Sequence, residues 1–129
     1  GYVHLHESVP HRSGPETPLD MLNREDAFFV LAGEEGGVHF VSKAQVAAVS
    51  AEAEPFRAWL HHEGARESGL EVELAGGGVR TGRVFIDFHP TRPRALDYLN
   101  SPVPFFLLLD EPVAHFLNRA HVTRVRPQD

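Results

Sequence analysis

Cysteine is missing from all 129 positions, which excludes disulfides, thiolate metal sites and cysteine nucleophiles and leaves the redox compartment open. No apolar run approaches the roughly 20 residues of a membrane-spanning helix. The N-terminal stretch lacks a basic region followed by an apolar one, so the expectation is a soluble, cytoplasmic protein with neither signal peptide nor membrane anchor. Basic residues are scarce: 12 Lys and Arg stand against 18 Asp and Glu, a net charge of −6. The deficit is uneven. Residues 1–50 hold only Arg12, Arg24 and Lys43 against seven acidic groups, whereas residues 70–129 balance. Such a field repels polyanions, because nonspecific affinity for nucleic acid comes from neutralising phosphates. Catalytic motifs are also missing. There is no G-x-S-x-G elbow, P-loop or dinucleotide fingerprint, and the GGG at 76–78 has neither a Lys nor a following helix. Neither an enzyme nor a cofactor is expected.

What the sequence does contain, it contains twice. LDMLNREDAFFVL, residues 19–31, aligns without a gap with LDYLNSPVPFFLL, residues 96–108, sharing Leu, Asp, Leu, Asn, Phe, Phe and Leu. HFVSKAQVAAV, residues 39–49, aligns with HFLNRAHVTRV, residues 115–125, sharing His, Phe, Ala, Val and Val, with Lys43 matched to Arg119. GYVHL at 1–5 also matches GRVFI at 82–86. This pattern is read as an internal duplication.

In the second copy Leu70, Val72 and Leu74 alternate with Glu71 and Glu73, a glycine turn follows, and Val84 and Ile86 resume the alternation, which predicts a β-hairpin with one buried face. PRALDYLN predicts one or two helical turns ended by Asn100 in the left-handed conformation. In the first copy Thr17, Pro18 and Asp20 form a helix start, so Asp20 and Asp97 read as capping groups rather than paired catalytic carboxylates. Leu19, Leu22, Leu96 and Leu99 are expected to be buried. The FF runs predict apolar strands, with Phe28, Phe29, Phe105 and Phe106 packed together. Residues 51–69, with Phe56, Trp59 and Leu60 at helical spacing, predict a helix joining the copies. The domain reading is a first β repeat over 1–50 that lacks its first strand, a connecting helix over 51–69 and a second β repeat over 70–129. The fold class is mainly β with short helices: two tandem small Sm-like or SH3-like β units packed as a pseudo-dimer.

The helix followed by LEVELAGGGVRTGRVFIDF, an apolar strand and HFLNRAHVTRVRP resembles the Sm-like family, over about half of the chain. That resemblance implies a small, strongly bent barrel and an RNA-binding alternative using Arg119, His121, Arg124 and Arg126. The R-x-L-D-Y-L-N, F-F-x-L and N-R-A-H-V-x-x-V stretches look like uncharacterised bacterial domains with a leucine-aspartate-x-leucine-asparagine motif, a resemblance that carries no activity with it. Among nine histidines, His4 and His6 would share one strand face as weak metal candidates, although copy two has Phe85 and Asp87 there, which favours a solvated strand. His39 and His115 occupy matched positions. Together with Arg119, His121 and Arg124 they are the partner-binding candidates. The leading expectation is a non-catalytic interaction or scaffolding module that binds a protein partner or another copy of itself at a free strand edge. A small metal- or ligand-binding barrel is a further alternative.

Overall fold

The computed structural model describes residues 2–3, 17–33, 36–56, 65–87 and 95–128. The protein is mainly β. It divides into two compact units, residues 1–46 and 47–129. Among the described residues no helix is long and apolar enough to cross a membrane.

Unit one holds strands β1 (Tyr2–Val3), β2 (Phe28–Ala32) and β3 (Val38–Ser42), an antiparallel sheet in that order. Helix α1 (Pro18–Asn23) precedes β2. Its start follows from three residues. The Thr17 hydroxyl accepts from the Asp20 N–H at 3.2 Å, the Asp20 carboxylate accepts from the Thr17 N–H at 2.9 Å, and Pro18 takes a position whose missing N–H costs nothing. Asp20 therefore performs the capping job that its spacing predicts. Met21 and Leu22 bury their side chains.

Unit two is a six-stranded antiparallel sheet. In chain order its strands are β4 (Ala48–Glu52), β5 (Ala65–Leu74), β6 (Val79–Asp87), β7 (Phe105–Asp110), β8 (Val113–Asn118) and β9 (Val122–Pro127). In space they run β4-β8-β7-β6-β5-β9. The predicted hairpin is β5–β6. Its turn needs Gly76 and Gly77 at positive φ, a conformation that a Cβ would strain. Leu70, Val72 and Leu74 from β5, Val84 and Ile86 from β6, Phe106 and Leu108 from β7 and Leu117 from β8 form one buried core, with Tyr98 and Leu99 of helix α2 (Ala95–Leu99) packed against it. At the crossing of β6 and β7, the carbonyl of Leu109 approaches so closely that a Cβ on Gly82 would lie 2.6 Å from its oxygen.

The matched sequences occupy matched structures. Phe28, Phe29, Val30, Leu31 and Ala32 pair with Ser42, Val41, Phe40, His39 and Val38, while Phe105, Phe106, Leu107, Leu108 and Leu109 pair with Asn118, Leu117, Phe116, His115 and Ala114. Four of these five rungs join residues that the alignment equates, and the fifth extends it by one residue on each strand. Tyr2 opposite Ala32 likewise corresponds to Arg83 opposite Leu109. Both β3 and β8 lead into 3-10 turns, Lys43–Gln45 and Arg119–His121, and then into β4 and β9.

Several expectations are corrected. The predicted 51–69 helix is not continuous: Ala51 and Glu52 end β4, Glu54–Phe56 form a single 3-10 turn, and Ala65–Gly69 begin β5, where they pair in antiparallel order with Asp87 to Arg83 of β6. The apolar spacing at Phe56, Trp59 and Leu60 is local, whereas residues 65–69 gain a ladder of non-local hydrogen bonds that overrides it. Residues 57–64 lie outside the described residues, as do Arg94 and the Asp97 side chain. Leu22 is buried as expected, but Leu19 and Leu99 are only partly covered and Leu96 is exposed, because a helix this short turns only part of its surface inward. Phe28 is exposed rather than packed with the other phenylalanines. Asn100 ends its helix without the left-handed conformation, since no described non-glycine residue has positive φ.

Candidate interaction surface

Two similar local sequences meet opposite fates. In β2 and β3 the register places Phe28, Val30, Ala32, Val38 and Phe40 on one sheet face. Their counterparts Phe105, Leu107, Leu109, Ala114 and Phe116 are all buried. On unit one, by contrast, Phe28 is 55%, Val38 59% and Phe40 75% exposed, while Phe116 is 0% exposed. Single exposed apolar residues are ordinary, but three large ones clustered on one face mark an interaction surface.

This face runs into an open strand edge. The Lys43 N–H donates to the Ala27 carbonyl beside β2, so odd-numbered backbone groups of β3 face β2 and those of Val38, Phe40 and Ser42 face away. Among the described residues β3 is an edge strand, and so is β9. On β9 the Gln128 N–H donates to Gly69, which turns the groups of Arg124 and Arg126 toward β5 and leaves those of Val125 and Pro127 outward, while the register shifts at Thr123, whose hydroxyl donates to the Glu73 carbonyl at 3.1 Å.

The equivalent edge in unit two is filled. β8, the counterpart of β3, pairs with β4, the last strand of the first repeat: Ala48, Val49, Ser50, Ala51 and Glu52 lie opposite Leu117, Phe116, His115, Ala114 and Val113. The Asn118 N–H donates to the Ala47 carbonyl at 3.0 Å and the Ala53 N–H to the Pro112 carbonyl at 2.9 Å, extending the ladder at both ends.

The residues singled out from sequence fall in different places. His39 lies exposed on β3, on the face opposite Phe40. His115 sits where β8 meets β4, its Nδ1 2.7 Å from the Ser50 hydroxyl. Burial is the main cause that pushes its pKa below the ordinary 6.5, the Arg80 charge adds to this, and the Asp110 carboxylate opposes it. Arg119 is a structural clamp. Its guanidinium donates to the carbonyls of Tyr98 at 3.0 Å, Leu99 at 3.1 Å and Val103, and lies over the rings of Phe106 and Tyr98. The Tyr98 and Leu99 carbonyls end a five-residue helix, the first also accepting from the Ser101 N–H at 3.2 Å, and the Val103 carbonyl lies in the segment beyond it. Lys43, the matched residue, does the same for α1, donating to Met21 at 2.8 Å and Arg24 at 3.3 Å while only 7% exposed. His121 belongs to the 3-10 turn after β8, and its carbonyl accepts from the Ala75 N–H. Arg124 and Arg126 form exposed ion pairs with Glu73 at 3.2 Å and Glu71 at 3.0 Å. The arginines of the predicted basic strip are thus divided between a clamp and two ion pairs across β5 and β9. His4 and His6 lie outside the described residues, and no group of three metal-ligating side chains occurs among those that are described.

Comparison with protein families, with curated proteins and with solved structures finds no match for this chain.

Sequence reasoning missed the face of Phe28, Val38 and Phe40.

Proposed function

We propose that the protein is a non-catalytic interaction module, built from a duplicated small β unit, in which the β3 edge of unit one takes up an extended protein segment by β-augmentation. The observation that carries this reading is the burial contrast between Phe40 and Phe116 at matched positions in matched ladders. In unit two the outward backbone groups of the equivalent strand are satisfied by β4. Val38, Phe40 and Ser42 offer the same groups with an apolar face beside them. Main-chain bonds then supply affinity and the alternate side chains supply selectivity. The tandem pseudo-dimer arrangement and a cytoplasmic location belong to the same proposal.

Amide hydrogen exchange tests it, with the synthetic peptide of residues 45–53 as probe, since that is the strand that covers β8. Saturable protection of the Val38, Phe40 and Ser42 amides, weakened at least tenfold by Phe40→Lys, is the expected result. No protection at about 1 mM peptide, a concentration at which even a weak complex of about −4 kcal/mol is half formed, would refute it. A parallel titration with single-stranded RNA at two salt concentrations separates the Sm-like alternative: RNA binding that weakens steeply with salt, without peptide binding, would replace the proposal.

A further inference from the structure

The β4–β8 pairing is a template, and among the described residues β9 and β3 form a second set of the same two edges with no strand paired on their outer sides. β4 ends the first repeat as β9 ends the second, and β8 is the counterpart of β3. We propose that β9 of one molecule pairs antiparallel with β3 of a second copy, so that the protein assembles head to tail. The proposal rests on the edge reading above and names the occupant of that edge.

Transferring the β4–β8 register through the alignment sets Thr123 opposite Ser42, Val125 opposite Phe40 and Pro127 opposite Val38. The backbone directions agree. Ala47 and Ala53 show that odd-numbered groups of β4 face β8, and their odd-numbered counterparts on β9 are the ones that face outward. Val38, Phe40 and Ser42 face outward on β3, as their counterparts Ala114, Phe116 and Asn118 face β4. About three main-chain hydrogen bonds result beyond the register shift at Thr123, two at Val125–Phe40 and one at Pro127, which has a carbonyl but no N–H.

The side chains agree independently. Within one molecule Val30 pairs with Phe40 and Val72 with Val125, so the new contact completes an apolar row, Val30–Phe40–Val125–Val72. The next row on that face is Ala32–Val38–Pro127–Leu70. The opposite face receives mixed rows, Leu31–His39–Arg126–Glu71 and Phe29–Val41–Arg124–Glu73, in which both arginines keep their glutamate partners on β5. A slip by one residue would set Phe40 against Arg124 or Arg126 and lose this segregation, so the register is specified. A contact that joins unlike surfaces propagates, closing into a ring or continuing as an open chain.

Because the chain has no cysteine, the register can be read by cross-linking. His39 and Arg126 would form a non-hydrogen-bonded pair with Cα atoms about 4.5 Å apart, within disulfide range. Separate His39→Cys and Arg126→Cys proteins, mixed under mild oxidation, are expected to give a disulfide-linked dimer. His39→Cys mixed with Arg124→Cys should give at least tenfold less. Sedimentation of the full chain should show multiples of 14.3 kDa, and Phe40→Lys should return it to the monomer with an unchanged circular dichroism spectrum. A chain monomeric at about 100 μM, a Kd weak for any obligate assembly, overturns the inference. So does equal cross-linking by both mixtures, or an oligomer that survives Phe40→Lys. A monomer whose Val38, Phe40 and Ser42 amides are still protected by the peptide probe sinks only the self-pairing; a monomer that binds no peptide sinks the edge reading too.

Discussion

Replacing Arg119 by Ala tests whether its charge serves the fold or a partner. The guanidinium makes three hydrogen bonds to carbonyls of the α2 region and lies 4.9 Å from the Phe106 ring centroid and 5.5 Å from that of Tyr98. Bonds involving a charged group contribute about 1.5–3 kcal/mol each, and a cation over a ring about 0.5–2 kcal/mol. These do not add in full, because the side chain is only half covered and water reaches the Val103 carbonyl once the arginine is gone. A loss of about 3–4 kcal/mol follows, a large share of the roughly 5–15 kcal/mol typical of a domain. Arg119→Lys should cost about 1–2 kcal/mol, since an ammonium can reach two carbonyls, as Lys43 does, but cannot stack as a planar group. Urea unfolding followed by far-ultraviolet circular dichroism measures both, with an unchanged m value as the sign that only stability has moved. If Arg119→Ala lowers stability by less than about 0.5 kcal/mol, the range of ordinary surface changes, the clamp argument is wrong and Arg119 returns to the list of partner contacts.

Gly82→Ala should destabilise unit two by about 1–3 kcal/mol, because the new methyl meets backbone of β7 that cannot swing aside; a melting temperature equal to wild type would show that the strands separate freely there. Thr17→Ala removes half of the α1 capping box and should cost about 1 kcal/mol, read from urea midpoints, whereas Thr17→Asn should retain most of the stability. The lowered pKa of His115 means that folding favours its neutral form. Its contribution is therefore fully present above the ordinary 6.5 and is lost as pH falls through the lower folded value. Comparing the slope of stability with pH in that acidic window for wild type and His115→Gln isolates the group from the other histidines, and equal slopes would contradict the assignment.

The parts of the fold legible in the sequence are those whose cause is local. Leu70, Val72 and Leu74 alternate with glutamates, and Gly76 and Gly77 supply the positive φ of the turn, so the β5–β6 hairpin could be read directly. The same holds for Thr17, Pro18 and Asp20 at the start of α1. Residues 65–69 were opaque because nothing in them marks a strand; they are extended because β6 lies beside them. The Lys43/Arg119 match was visible, but a cation in a strip of arginines reads as a surface group until the carbonyls it closes are brought near by the chain between them.

Phe40 and Phe116 show where local reading ends. Both follow a histidine, lie opposite a β-branched or leucine residue in the same register and precede a cationic 3-10 turn, yet one is exposed and the other buried. A phenylalanine has one intrinsic preference, so the difference must come from neighbours distant in sequence. For β8 one such neighbour along the hydrogen-bonded edge is β4, donated by the other repeat, and a duplicated chain can make that donation within itself only once. The counterpart donor, β9, and the counterpart acceptor, β3, are left over at the two ends of the series. An open edge beside an exposed apolar face invites aggregation unless a specific occupant covers it. On the proposed head-to-tail pairing, the strand that covers the β3 edge would have the same place in the duplicated pattern as the strand that covers β8.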